Sequence, residues 1–279
     1  MNINRTTCVR PCHRANELAV TNSWPRRATN KCQLALHRLL ALIALLIVVT
    51  GPVVAQDLHR AASIGDAEAI RILVAAGQDP NALDNVVGAP LHWAAARGHV
   101  DAAEALVAAG AEIDIRGAPP AGLTPLQMAS SSGQETMVRS LIVAGADVSV
   151  GSAGYGTPLH FAALNDHGDV VSVLLEFGAS IDAHATRDRG PFALHWAAQS
   201  GGRNAIDALL DAGAIIDSAD ADGTTALHLA VFAANADGVR ALLEAGADPQ
   251  ARSSYHGTPI VLSGAHTEMA RLLAELGIE

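Results

Sequence analysis

Apolar residues return along this chain in paired bursts, and the pairs themselves recur. The anchors Leu58, Leu91, Leu126, Leu159, Leu194, Leu227 and Ile260 are separated by 33, 35, 33, 35, 33 and 33 residues. A glycine follows each anchor, at Gly77, Gly110, Gly145, Gly178, Gly213, Gly246 and Gly277, nineteen residues on in six units and seventeen in the last. Directly after the anchor comes a short alanine-rich stretch. A second stretch follows whose apolar residues fall on one helical face, as in Ala69, Ile70, Ile72, Leu73 and Val74 or Val170, Val171, Val173, Leu174 and Leu175. The pattern therefore predicts two short helices per period. A period near 33 residues marks a stacked array of small units, none able to bury its apolar stripe alone.

The details of each unit agree with that reading. The odd position inside the second stripe is polar, at Arg71, Glu104, Arg139, Ser172, Asp207, Arg240 and Arg271, and these residues are expected to face water. Glu68, Asp101, Asp169, Asp237 and Glu268 fall near the start of the second helix, where the helix dipole favours negative charge. The recurrent glycine suits a left-handed helix cap. Small alanine pairs allow the first helices to approach closely, and the core is expected as a ribbon between layers.

The phrase at the anchor resembles the ankyrin repeat, whose signature is T-P-L-H-x-A. Thr157-Pro158-Leu159-His160-Phe161-Ala162 matches in full, and Ala89-Pro90-Leu91-His92-Trp93-Ala94 nearly so. Leu194-His195-Trp196-Ala197 and Leu227-His228-Leu229-Ala230 keep the histidine, whereas Gln127 and Val261 replace it. The resemblance implies an all-α, ankyrin-repeat solenoid of about seven helix-turn-helix units with loop or β-hairpin connections. The units are expected near residues 56–85, 86–118, 119–151, 152–186, 187–219, 220–252 and 253–279. It also implies a structural role for His59, His92, His160, His195 and His228, as braces linking helix starts to loops. A shared zinc ion is excluded for them, since donors must lie about 2.1 Å from the metal and packed helices are about 8–10 Å apart. The usual role implied by the resemblance is protein recognition.

The first 55 residues are of another kind. They carry seven of the 18 basic residues and one acidic residue, Glu17, followed by an uncharged apolar run from Leu39 to Val49 and the exit Val53-Val54-Ala55. This is the layout of a secretory signal, and cleavage before Gln56 would leave the repeat domain 56–279 in a periplasm or outside the cell, as a bacterial exported protein. Retention of residues 39–54 as an inner-membrane anchor is the alternative, although Gly51-Pro52 interrupts the run well short of the roughly 20 apolar residues a span needs. Arg26-Arg27 lacks the apolar pair that usually follows a twin-arginine motif. Cys8, Cys12 and Cys32 all lie in this leader, so the exported chain would carry no thiol.

Without the leader, 11 arginines face 27 acidic residues, a net charge near −16. A field of that sign disfavours nucleic acid and anionic membranes, and points to a protein partner with a basic contact face. No nucleophile-elbow, phosphate-loop or H-E-x-x-H pattern is present, so neither enzyme activity nor a cofactor is expected. Asp217, Asp220 and Asp222 are expected to be solvated loop acids, not a calcium site. Trp93, Met128, Phe161, Trp196, Leu229 and Leu262 follow the brace position and are expected to pack between units.

Residues that break the repeat are the better candidates for recognition. Arg97, Ser132, Asn165, Ser200 and Phe232, near the ends of the first helices, are expected to line the concave side of a monomeric array. Tyr155, Arg187, Arg189 and Tyr255 are expected to extend that strip along the loops. The two steps of 35 place extra residues in the loops near Gly117–Ala121 and Thr186–Gly190, which are expected to project beyond their neighbours.

Overall fold

Proline starts four of the first helices, where its missing N–H costs nothing and its fixed φ favours entry into the helix. The computed structural model describes residues 57–151, 156–185, 192–200, 202–264 and 267–278, and among these it shows seven helix pairs. They are α1 (Leu58–Ile64) with α2 (Ala67–Ala75), α3 (Pro90–Arg97) with α4 (Val100–Ala108), and α5 (Pro125–Ser131) with α6 (Glu135–Val143). There follow α7 (Pro158–Leu164) with α8 (Gly168–Glu176), α9 (Ala193–Ser200) with α10 (Arg203–Asp211), α11 (Ala226–Phe232) with α12 (Ala236–Glu244), and α13 (Pro259–Ser263) with α14 (Thr267–Glu275). The leader, including Leu39–Val49 and Gln56, lies outside the described residues, as do Tyr155, Arg187 and Arg189.

Each first helix packs on the first helix of the next unit, and the second helices form a parallel row through α12. The anchors Leu58, Leu91, Leu126, Leu159, Leu194 and Leu227 are buried, with the alanines that follow them. From the second helices come Ile70, Leu106, Leu141, Leu174, Leu209, Leu242 and Leu273. These residues form one continuous core cluster running from unit to unit. Ile260 is the exception among the anchors, being only half-buried in the five-residue helix α13.

The odd polar position behaves in two ways. Arg71, Glu104, Ser172, Arg240 and Arg271 are exposed, while Arg139 and Asp207 are half-buried. Arg139 binds Glu135 in its own helix and Glu176 one unit on, at 3.1 and 2.9 Å. Arg203 repeats the device with Asp207 and Glu244, at 3.1 and 2.8 Å. Ion pairs thus tie outer helices across unit boundaries, though solvent screening at such exposure keeps their contribution small.

The connections are hairpin-like turns with isolated bridges, Ala219 to Thr225 and Ser253 to Gly257. No β-strand occurs among the described residues. In the inserted loop at Gly117–Ala121, Ala118 N–H reaches back to Val87 O at 3.0 Å and the Pro119-Pro120 pair is left exposed at the tip. The companion insertion at Thr186–Gly190 lies outside the described residues.

Candidate functional site

The framework is held by polar side chains that recur with the repeat. His59 Nε2 lies 2.8 Å from Ala82 O, His92 Nε2 2.9 Å from Leu123 O, His195 Nε2 2.8 Å from Thr224 O, and His228 Nε2 3.1 Å from Gly257 O. A carbonyl can only accept, so Nε2 carries the proton and Nδ1 is an acceptor. Nδ1 of His92, His160 and His228 accordingly accepts the N–H of Ala89, Thr157 and Thr225 at the helix start. Gln127 reproduces both halves: its Oε1 accepts Thr124 N–H at 2.8 Å, and its Nε2 donates to Val150 O and Gly156 O. Phe192 stands where Thr157 and Thr225 place a hydroxyl against the histidine, and buried His195 Nδ1 has no hydrogen-bond partner among the described residues. Burial pushes His92, His195 and His228 below the usual imidazole range, against the opposing pull of their carbonyl partners.

A second ladder, which the sequence reading missed, occupies the eighth position after the anchor. His99 and His167 contact Ser63 O and Ser131 O of the preceding unit, both at 3.2 Å, and Asn235 donates to Ala198 O at 2.9 Å. The ring of His99 lies over Gly65 so closely that a Cβ there would meet it at 2.8 Å, and Gln134 covers Gly98 in the same way. The fourth and fifth units reverse the device. Asp166, at φ 59°, sits where those glycines stand and accepts Asn204 Nδ2 and Ala205 N–H of the next unit, while Gly202 leaves the space it needs.

One row of exposed side chains lies outside these ladders. Arg97, Ser132, Asn165, Ser200 and Phe232 are all exposed, at or beside the C-terminal ends of α3, α5, α7, α9 and α11. Phe232 stands one position earlier in its unit than the other four, at the equivalent of Ser131. Asn165 Nδ2 lies 3.2 Å from Ser131 Oγ, which joins two neighbouring units along the row. Tyr255 is 79% exposed at a loop tip, and the ring of its neighbour His256 lies 5.8 Å from that of Phe232.

The aromatic positions pack between units. Phe161 is buried and meets Trp196 edge-on at 6.1 Å, and His160 meets the same ring at 5.4 Å. Trp93 is handled differently. Its Nε1 donates to Asp84 Oδ2 at 2.7 Å, while Asp84 Oδ1 accepts the N–H groups of Val86, Val87 and Gly88. Burial alone would raise the Asp84 carboxyl, but these four donors hold it well below the usual carboxylate range. The guanidinium of Arg97 lies over the fixed indole, 5.8 Å from its centroid.

Charge is segregated. The first helices contain no aspartate or glutamate, and their only charged residues are Arg60 and Arg97. Acidic residues gather on the second helices and in the turns that follow them, among them Asp79, Glu112, Asp114, Asp147, Asp182, Asp217 and Asp248. Several spend their carboxylates on backbone: Asp217 accepts Asp248 N–H at 3.0 Å, and Asp220 accepts the N–H groups of Asp222 and Thr224. Among the described residues no three His, Cys, Asp or Glu side chains converge on a common point where an ion could sit.

The family model for ankyrin repeats matches residues 58–152, 120–185, 138–220 and 159–253. The chain belongs to the ankyrin-repeat family. The solved structure of the human ASB11 ankyrin repeat domain is similar at 27% identity with a TM-score of 0.68, covering 79% of this chain and 97% of that one. None of the curated proteins matches the sequence. The helix pairs, histidine braces and hairpin turns described above are thus the ankyrin framework, and the exposed row lies on its first-helix face. Among the described residues no helix is long and apolar enough to cross a membrane.

Proposed function

We propose that the protein is a non-enzymatic binding module that grips a protein partner with its first-helix face and adjoining loops. The observation that carries this reading is the division of labour among side chains. Recurrent polar residues are spent on bracing units together, whereas Arg97, Ser132, Asn165, Ser200, Phe232 and Tyr255 are exposed and differ from unit to unit. Varied side chains on a rigid frame are what specific recognition requires. Tyr155, Arg187 and Arg189 extend the same strip in this proposal.

Export supplies the setting. The basic leader and its apolar run favour secretion to a periplasm or beyond, with the array acting as a protective or inhibitory partner of another exported protein. A host-directed factor uses the same surface, and retention of the leader would make the array a membrane-tethered scaffold. The intact mass of the exported protein separates these, because a chain beginning at Gln56 has lost the anchor. The acidic turns favour a basic patch on the partner at the rim of the array, with association weakened by salt. Once a partner is captured, alanine at Tyr155, Arg187 and Phe232 together is expected to weaken binding at least tenfold with the melting temperature nearly unchanged. Unaltered affinity would place the binding surface on the second helices.

A further inference from the structure

The only charges on the first helices are positive, opposite in sign to the net charge of the molecule. Across seven first helices there is no carboxylate, while Arg60 in α1 and Arg97 in α3 are exposed. Three arginines of the outer row, Arg71, Arg139 and Arg203, each bind glutamate or aspartate within 3.2 Å. No carboxylate lies within ion-pair distance of Arg97 among the described residues, and its neighbouring acid, Asp84, is occupied by three N–H groups and the indole of Trp93. The cation–π contact with that fixed ring, 5.8 Å from guanidinium carbon to centroid, restrains the long side chain and removes part of the entropy it would lose on binding. Its N–H edge remains available, in the planar fork that matches a carboxylate. Ile64, at the same repeat position one unit earlier, is 53% exposed.

We infer that the first-helix face of the first two units is a carboxylate anchor, in which Arg97, set by Trp93 and Asp84, holds an aspartate or glutamate of the partner's docking segment while apolar neighbours of that residue rest on Ile64. This rests on the protein-binding reading of the same face and names the chemistry of the segment that enters it. A lysine-rich segment is disfavoured at this position, since it would meet Arg97, which has no carboxylate partner among the described residues. The acidic rim and the cationic floor therefore select different parts of one partner.

A random dodecapeptide library, displayed on phage and selected on the full chain, tests the assignment. Enriched peptides are expected to share a carboxylate flanked by apolar residues. A synthetic copy of the best one is expected to lose at least tenfold in affinity when that carboxylate becomes its amide, and as much against the Arg97→Gln protein. Both changes together are expected to cost no more than one, because they remove the same contact. Arg97→Lys, which keeps the charge and loses the planar fork, is expected to fall between. Enrichment of basic or acid-free peptides overturns the anchor while leaving a binding face in place. So does a carboxylate whose loss is additive with Arg97→Gln. Failure to enrich any peptide overturns the binding face and the anchor together.

Discussion

A brace histidine is useful here only while it is neutral. Its Nε2 donates to a loop carbonyl and its Nδ1 accepts a helix-start N–H, so a second proton would point a donor at a donor. Burial lowers His92, His195 and His228 relative to the unfolded chain, whose histidines titrate near pH 6.5. The unfolded chain therefore binds more protons as pH falls through that value. Stability from these residues is complete above pH 6.5 and is lost on acidification toward their lower folded values. Gln127 makes the same bonds without titrating. The melting temperature is thus expected to drop between pH 7 and pH 5, and to drop less in the double variant His92→Gln, His228→Gln. An equal drop in both proteins would remove the histidines as the cause. The recurrence of histidine at one position was legible in the sequence, while its brace role there was only what the ankyrin resemblance implied. Asp84, Trp93 and Arg97 occur together once, and no spacing announces that the loop folds back onto the helix.

Helix pairs follow from the apolar period, but the polar ladder between them has two solutions. In three units a long side chain at the eighth position reaches back over a glycine, His99 over Gly65, Gln134 over Gly98 and His167 over Gly133. Between the fourth and fifth units Asp166 reaches forward over Gly202. Gly202→His alone is expected to destabilise by about 2 kcal/mol or more, because its side chain would collide with Asp166. Asp166→Gly alone removes two bonds to the next unit and is expected to cost about 1–2 kcal/mol. The pair together restores the commoner arrangement. Denaturant unfolding of both single variants and the double is expected to give strong positive coupling, and simple additivity would contradict the reversal. The sequence shows an aspartate and a glycine at these places, but the exchange of roles depends on φ at Asp166, which no local pattern reports.

At the scale of the molecule, stability is a sum over units and their interfaces. The last pair is the weakest link: α13 has five residues, Val261 replaces the brace and is 70% exposed, and Ile260 is only half-buried. Hydrogen exchange is expected to be fastest in α13 and α14 and slowest across α5 to α10; uniform protection would contradict an array of loosely coupled units. The repeat, its seven copies and the apolar face were readable from the sequence, since stacking imposes a period on the core. The segregation of charge was not: a net charge near −16 gives no position for its carboxylates, whereas folding places them on second helices and turns and leaves the first helices without any. The most direct test of the account is a hydrogen-exchange footprint of the captured partner on this chain. The account predicts slowed exchange at the C-terminal ends of α3, α5, α7 and α11 and in the loop 252–257. Slowed exchange confined to the second helices α2, α4, α6, α8, α10 and α12 would contradict it.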